Sequence, residues 1–485
     1  MPLVLLLAVA APLGIAWAIA RIRVPAPEPL PAAVPGTGAP DEGQPGVGDA
    51  YFPDYGSSGY DALKYTVRLS WDPDAQAMTS TTVVSATATQ PLKSFYLDLA
   101  LTTDRVLVDG QPADFTTSGF QDLRVTPAEP IAAGADFSVT VDYSGEPGEV
   151  RRGDVTGWYA TGEEWTAVGE PESSAWWFPA NDHPSDPALM DVSVRVPAGM
   201  EVLSVGRLAS RDTADEADFD TWNWVAKQPM ATYASFVSIG QYDLEQGKVD
   251  DRPYVYAVSQ QLSRAERDKA FAALQRSGAI VRSLESMFGQ YPFSELGGVV
   301  PAHKLRFGGL ETQTRPVYER QAITSGDPSG LIAHELAHMW FGDNVTLRQW
   351  DDIFINEAYA SWAQWGHAER VGGRSANDAF NALYDRARER PEFWRVTMID
   401  PGPEHLFDVV YARGPMAMQA LRNVMGDVAF FTLAREWSQE PGTRSLEEWM
   451  VKAQSKTTVD LLPFFQAWIF APVAPECSRA NGFSD

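Results

Sequence analysis

The sequence predicts an α+β fold, with an N-terminal antiparallel β-sandwich or saddle-shaped domain followed by a mostly helical domain. Apolar residues alternate with polar ones in many runs between about 51 and 245, and this period of two indicates half-buried strands. From about residue 259 the apolar spacing becomes that of amphipathic helices. A chain of 485 residues with 45% hydrophobic content suits two or three globular domains.

Four runs of alternating apolar residues support the strand prediction. They are Tyr65-Val67-Leu69-Trp71, Phe95-Leu97-Leu99, Phe137-Val139-Val141-Tyr143 and Val192-Val194-Val196. Turn signals such as Asp109-Gly110 separate runs of this kind. In the second half, residues 262–288 carry a helical pattern, short strands are expected at Gly298–Val300 and Leu305–Phe307, and helices continue to about Phe470.

The N-terminus carries an uncharged apolar run from Pro2 to Ala20, long enough to span a bilayer. It suits a signal peptide cleaved after Ala20 or a retained anchor. No basic residue precedes the run, which is unusual for a signal peptide unless the start codon is assigned too late. We therefore expect an exported protein, extracellular or membrane-anchored at the cell surface, with residues 2–20 as a possible membrane tether.

Composition divides the chain into five predicted parts. They are a signal peptide or anchor (1–23), a Pro/Gly-rich linker (24–50), the β domain (51–245), the helical domain (246–478) and a short tail (479–485). The linker has no periodic apolar face, so it is expected to be an extended tether.

The net charge of −26 excludes nucleic acid as a partner, because phosphate contacts need clustered Lys and Arg side chains. A single cysteine, Cys477, excludes an internal disulfide. The acidity favours solubility and attracts cationic peptide termini weakly.

The most specific signal is a zinc-ligand pattern, His334-Glu335-Leu336-Ala337-His338 followed by Asn356-Glu357. On a helix, histidines four residues apart project from one face and can bind one zinc ion. The spacing to Glu357 suits a turn and a second helix whose carboxylate supplies the third ligand. Three protein ligands leave one position open, as in catalytic zinc sites, and Glu335 can reach a water there.

The same short motif also occurs by chance on solvated helices. Here its surroundings are apolar: Leu331, Ile332, Leu336, Met339, Trp340 and Phe341. Histidines and a glutamate buried among such residues need partners, which favours metal binding. The chain has Phe341 and Asn344 where the metzincin motif needs Gly and His, and it lacks a CxxC pair.

The stretch from His334 to Asp343, with Trp350 and Asn356-Glu357-Ala358-Tyr359-Ala360, resembles the M1 family of zinc aminopeptidases, which are gluzincins. Three further segments are similar to family motifs in the family's order. They are Glu170-Pro171-Glu172 before Trp177-Phe178-Pro179-Ala180-Asn181-Asp182, then Gly308-Gly309-Leu310-Glu311-Thr312, then Val410-Tyr411-Ala412-Arg413-Gly414. The matches span roughly residues 50–475.

The resemblance implies a thermolysin-like catalytic domain with one Zn²⁺ per chain, in a short form without the family's C-terminal helical domain. It implies a metalloaminopeptidase in which Glu335 is the general base and Tyr411 stabilises the oxyanion. Arg413 stands where the family carries Lys, but this departure removes neither a zinc ligand nor the base.

The resemblance also implies that the substrate is a peptide with a free N-terminus, and it implies which residues bind it. Glu311 and Glu170 would bind its amino terminus, and Gly308 and Gly309 would contact its backbone. Alternatives on the same scaffold are an endopeptidase or an epoxide-hydrolase-like enzyme. A catalytically silent surface binding module is the alternative from another class.

Overall fold

The computed structural model describes residues 41–213 and 218–484. The predicted signal peptide or anchor and most of the predicted linker, including residues 2–20, lie outside these residues. Within the described part, none of the helices is both long enough and apolar enough to cross a membrane.

The first half of the described chain is built from β-strands. They are β1 (Tyr60–Asp72), β2 (Ala77–Ala88), β3 (Phe95–Asp98), β4 (Thr102–Val108), β5 (Gln111–Pro112), β6 (Asp114–Ser118), β7 (Asp122–Thr126), β8 (Asp136–Gly145), β9 (Trp158–Thr161), β10 (Glu164–Val168), β11 (Ala188–Pro197), β12 (Glu201–Ser204), β13 (Arg207–Thr213), β14 (Phe219–Met230) and β15 (Phe236–Gly240). They form an eight-stranded sheet (β13-β14-β11-β1-β2-β8-β4-β5), a three-stranded sheet (β3-β7-β6) and a four-stranded sheet (β12-β15-β10-β9).

The alternating pattern of the sequence places one face of each long strand in the core. In β1, Tyr65, Val67 and Leu69 are buried while the residues between them are not. All four predicted runs form strands, so the β-rich N-terminal domain is confirmed. One pair in the large sheet, β1 with β11, is parallel. The long connection between these two strands allows that direction, which a tight hairpin forbids.

The second half is mostly helical. Its helices are α1 (Arg264–Leu274), α2 (Ser277–Phe288), α3 (Arg320–Thr324), α4 (Ser329–Ala337), α5 (Phe354–Arg370), α6 (Ala376–Ala387), α7 (Pro391–Trp394), α8 (Val410–Met425), α9 (Asp427–Ser438), α10 (Leu446–Ser455) and α11 (Leu462–Phe465). Its strands are β16 (Tyr242–Val249), β17 (Arg252–Ser259), β18 (Leu296–Val300), β19 (Gly309–Leu310), β20 (Val317–Tyr318), β21 (Val345–Leu347) and β22 (Gly442–Arg444). A buried apolar cluster joins α1, α2, α4, α5, α8 and α9.

A five-stranded sheet in the order β16-β17-β18-β20-β19 begins this second half. The expected strand at Leu305–Phe307 is wrong, since the chain forms a strand only from Gly309, in β19. The pattern at 262–288 forms two helices, which end and restart at residues 275–276. Because β19 is the last strand in the order, one of its edges is left without a strand partner in this sheet.

Two segments assigned by composition to a linker and a tail pack against the fold. Asp49 is buried and accepts a hydrogen bond from the backbone N–H of Trp350, 2.7 Å away. At the other end, the ring of Phe483 lies 5.0 Å from that of Phe380. Residues 41–50 of the predicted linker therefore do not form a free tether, because backbone and side-chain hydrogen bonds hold them against the fold.

Candidate metal centre and substrate cavity

The two histidines of the HExxH motif lie together at the end of α4. His334 is in the last turn, and His338 follows the final residue with helical backbone angles. Their spacing of four residues places both rings on one face, with the Nε2 atoms 3.3 Å apart. Both side chains are buried, since apolar residues of α4 and its neighbours surround the helix.

Glu357, in the first turn of α5, completes a triangle with these nitrogens. Its Oε2 lies 3.3 Å from Nε2 of His334 and 3.5 Å from Nε2 of His338. Zinc bound tetrahedrally by nitrogen and oxygen at about 2.0–2.2 Å requires ligand atoms roughly 3.3–3.6 Å apart. This Oε2 is buried without a hydrogen-bond donor among the described residues. The three residues therefore fit a zinc ion.

The electrostatics of this triangle favour the metal-binding forms of Glu357 and His334, whereas in His338 they favour the protonated ring. Burial opposes ionisation of Glu357, but His338 and His334 outweigh it and lower the pKa of the carboxyl to about 2. Burial lowers the pKa of His334, which favours its neutral, ligating form. The carboxylates of Glu311 and Glu357 overcome the burial of His338 and raise the pKa of that ring.

Hydrogen bonds from outside the triangle orient both rings. Nδ1 of His338 lies 3.0 Å from the carbonyl oxygen of Phe341, so Nδ1–H donates and Nε2 keeps its lone pair. Nδ1 of His334 lies 3.0 Å from the side-chain amide of Gln364. The atom that faces the ring is Nε2 of Gln364, so its N–H donates to Nδ1 in this orientation; with the amide turned over, its oxygen accepts from Nδ1–H and leaves Nε2 of His334 free.

Glu335 lies on the cavity side of α4 and is buried. A Cβ atom at position 309 would stand only 2.3 Å from Oε1 of this glutamate, so Gly309 leaves the space that the carboxylate uses. Burial, reinforced by Glu311 and Glu357 against the opposing effect of His338, raises the pKa of Glu335 well above its usual range. A carboxyl of this kind can both accept and return a proton.

Tyr411 projects into the same cavity from the first turn of α8. Its hydroxyl donates a hydrogen bond to Oε1 of Glu357 at 3.2 Å, and its ring centre lies 5.8 Å from that of His334. Burial of the hydroxyl and the neighbouring carboxylates raise the pKa of Tyr411, although 42% of the residue is exposed to the cavity. The hydroxyl therefore remains a donor.

Two further glutamates reach the cavity from different domains. Glu311 follows β19, and its Oε1 lies 3.9 Å from Nδ1 of His338. Glu170 lies beyond β10 in the β domain, and its Oε1 is buried without a hydrogen-bond partner among the described residues. Burial raises the pKa of both, and Glu311 and Glu357 raise that of Glu170 further. Among the described residues, no Lys or Arg side chain pairs with either carboxyl group.

All the predicted site residues line one cavity of about 540 Å³. Its lining consists of Glu170, Pro171, Arg306, Phe307, Gly308, Gly309, Glu311, Leu331, His334, Glu335, His338, Glu357, Ser361, Gln364, Phe407 and Tyr411. Among the described residues, the groups of His, Cys, Asp and Glu side chains close enough to hold a metal all lie here.

Sequence reasoning missed several residues at this site. Gln364 lies seven residues after Glu357 on α5, so helical periodicity could have placed it on the same face. Asp343 is buried near His338, and neither of its side-chain oxygens has a partner among the described residues. Arg306 and Phe407 lie on irregular segments, which carry no periodic signal.

The structure shows a two-domain α+β protein in which two histidines and one glutamate form a buried cluster that fits a metal ion. Residues 273–468 match the peptidase family M1 domain, and residues 61–234 match the peptidase M1 N-terminal domain. The chain belongs to peptidase family M1.

Curated relatives and solved structures agree with this assignment. The chain is 24% identical over 280 residues to "Probable aminopeptidase 2" of Sulfurisphaera tokodaii, covering 52% of this chain and 34% of the relative. It is 27% identical to "Aminopeptidase N" of Acetobacter pasteurianus over 51% of this chain and 68% of the relative. The chain spans about a third of the length of the first three curated relatives that it matches.

The structural likeness covers both domains. An M1 zinc metallopeptidase mutant from Deinococcus radiodurans, bound to a Tyr-Ser-Ala substrate, superposes with a TM-score of 0.79 at 24% identity. A two-domain M1 zinc metallopeptidase mutant bound to L-tryptophan gives 0.80 at 23% identity. Each match covers 89% of this chain and 99% of the other, so the likeness shows that the two-domain fold is shared.

Proposed function

We propose that this chain is a zinc-dependent aminopeptidase that removes N-terminal residues from peptides, with one zinc ion per chain held by His334, His338 and Glu357. The observation that supports this most directly is the position of Glu311 and Glu170, which lie in the same cavity as the ligand triangle. Carboxylates in a low-dielectric cavity are suited to bind a substrate ammonium group. Curated relatives named aminopeptidases support the same activity.

Zinc held there would act as a Lewis acid, lowering the pKa of a water molecule and polarising the scissile carbonyl. Glu335 takes the proton of the attacking water and passes it to the leaving amine, a role that its raised pKa favours. The Tyr411 hydroxyl donates a hydrogen bond to the oxyanion that develops on the substrate. Its position beside Glu357 at the edge of the triangle supports this role.

The substrate's backbone is proposed to align with the edge of β19. Gly309 and Leu310 pair with β20 on one side, and β19 is the last strand of the sheet on the other. Gly308 and Gly309 line the cavity, so a peptide can approach their backbone closely and add as a further strand. With its ammonium at Glu311, the first peptide bond then lies beside the metal centre.

Export and a tether through residues 2–20 remain part of the proposal. The observation behind them is the uncharged apolar run at the N-terminus, followed by Arg21 and Arg23. Fractionation of cells that express the tagged full-length chain tests this point. Recovery in the cytosolic fraction alone contradicts export.

The decisive experiment for the activity compares aminoacyl-anilides that carry free or blocked amino groups. The zinc-loaded chain is expected to cleave the free amines alone, and a chelator should abolish cleavage. Cleavage of blocked substrates would favour the endopeptidase. Absence of cleavage by zinc-loaded protein would favour the binding module.

A further inference from the structure

Arg306 is a cation at the rim of a cavity whose deeper charged groups, apart from the two histidines, are carboxylates. Those carboxylates belong to Glu170, Glu311, Glu335 and Glu357. The Arg306 side chain is exposed, and its guanidinium forms no ion pair or hydrogen bond with residues 41–213 or 218–484. Its charge therefore remains available to a molecule that enters the cavity.

The backbone that carries Arg306 is held on both sides. Before it, the backbone N–H of Ala302 donates to Glu164 at 2.6 Å. After it, the ring of Phe307 packs edge-on against Tyr159 of the β domain, with ring centres 6.3 Å apart. The guanidinium therefore extends from a fixed segment at the junction of the two domains.

The direction of a bound peptide leads from the ammonium site to Arg306. A peptide whose amino group lies at Glu311 and which follows the β19 edge runs past Leu310, Gly309 and Gly308, opposite to the chain direction. It is therefore antiparallel to β19, and its carboxyl end points toward Arg306. The five Cα–Cα intervals from Arg306 to Glu311 span at most about 17 Å when the backbone is extended, and this length suits a peptide of two to four residues.

We propose that Arg306 binds a carboxylate of the substrate and makes the enzyme selective for short peptides that carry one beyond the scissile bond. This inference rests on the proposed aminopeptidase function. The carboxylate is the C-terminus of a di- or tripeptide or an acidic side chain at the second residue. A guanidinium can hold either through two parallel hydrogen bonds.

The test measures kcat/KM of the zinc-loaded chain on three substrates of equal length: Leu-Gly-Gly, its C-terminal amide, and Leu-Asp-Gly amide. The parent enzyme is expected to prefer a carboxylate-bearing substrate by about fivefold over the Leu-Gly-Gly amide, since the ion pair is solvent-exposed. Arg306→Gln should bring the ratio of kcat/KM for the preferred carboxylate-bearing substrate to kcat/KM for the Leu-Gly-Gly amide close to one. Arg306→Lys should retain part of the preference. Lys304→Gln removes an exposed cation two residues earlier, outside the cavity, and should leave the ratio unchanged.

The outcomes distinguish a C-terminal carboxylate from an acidic side chain. They also distinguish failure of the inference about Arg306 from failure of the aminopeptidase proposal. Preference for Leu-Gly-Gly identifies the C-terminus, and preference for Leu-Asp-Gly amide identifies the side chain. A structural role for Arg306 would lower all rates and keep the ratio, which would overturn the inference. Equal cleavage of all three substrates by the parent also overturns the inference about Arg306 but leaves the aminopeptidase proposal intact. If the parent cleaves neither these three substrates nor a free aminoacyl-anilide, both proposals are overturned.

Discussion

The Tyr411 hydroxyl donates a hydrogen bond to Oε1 of Glu357, while Oε2 of the same carboxylate faces the two motif histidines. One glutamate thus connects the first turn of α8 to the metal centre. The hydroxyl lies beside the ligand triangle without belonging to it. Loss of this hydroxyl should therefore affect the reaction more than metal binding.

Tyr411→Phe is expected to lower kcat on leucine anilide about 100-fold, with little change in KM, because the oxyanion loses a donor that acts mainly in the transition state. Zinc content, measured by elemental analysis, should stay at the parent level. Tyr254→Phe is the matched control, since its hydroxyl also donates to a glutamate, Glu245, but away from the cavity. A parent-like kcat for Tyr411→Phe would exclude the proposed role.

Glu335→Gln is expected to reduce kcat by about 10²- to 10⁴-fold, because an amide cannot accept the proton of the attacking water. The side chain keeps its size in the space beside Gly309, so folding and zinc content should match the parent. Zinc content and kcat are measured on the same preparation. A variant that retains activity with full zinc occupancy would assign the base to another residue.

Removal of zinc by a chelator is expected to abolish activity and lower the melting temperature, since a ligand that binds only the folded state stabilises it by mass action. At a free zinc concentration of 100 times Kd, that stabilisation is about 2.7 kcal/mol. Glu357→Gln weakens one ligand and should reduce the zinc-dependent shift. An equal zinc-dependent change in melting temperature in the parent and in Glu357→Gln would show that the ion binds elsewhere.

The common face of the two motif histidines and the order of a β-rich domain and a helical domain were predictable because both are encoded locally. His334 and His338 share a helix, so their four-residue spacing fixes their common face. Alternation in runs such as Phe137 to Tyr143 likewise determines which side chains enter the core of β8.

The rest of the site depends on packing between distant segments. Arg306 and Phe407 reach the cavity from irregular loops, whose path is set by tertiary contacts. Arg413, two residues after Tyr411, donates hydrogen bonds to the carbonyl oxygens of Trp468, Trp394 and Val396. Nothing in the local sequence distinguishes such a buried cation from one in the cavity.

Glu311→Gln is expected to lower kcat/KM for free-amine substrates about 10- to 100-fold, because the substrate ammonium loses a charged partner in a buried site. The kcat/KM for substrates with a blocked amino group, where it can be measured, should fall less. The ratio of kcat/KM for free-amine substrates to kcat/KM for blocked substrates should therefore decrease. Glu163→Gln, an exposed glutamate outside the cavity, is the control. Equal losses on both substrate types would indicate a structural role.

The stability of the fold is expected to depend on pH through Glu164, which is buried on β10 at the junction of the domains. This carboxyl accepts hydrogen bonds from the backbone of Ala302 and from Ser259. Burial nevertheless raises its pKa from 4.5 to about 7. Because the folded state holds this proton more tightly than the unfolded state, the contribution of Glu164 to the free energy of unfolding falls as pH rises from about 4.5 to about 7.

Glu164→Gln removes this titration while an amide oxygen can still accept from Ala302 N–H. The variant should therefore lose less stability than the parent between pH 5 and pH 8, by at most about 3 kcal/mol. Urea denaturation at both pH values measures the difference. His303, 3.5 Å from Glu164, acts in the opposite sense: burial lowers the pKa of its ring from 6.5 to about 4, so its contribution to the free energy of unfolding rises with pH between these values. Parent and variant share this contribution, and it cancels from the difference between them. Identical pH dependence in parent and variant would show that Glu164 is ionised in the folded state throughout.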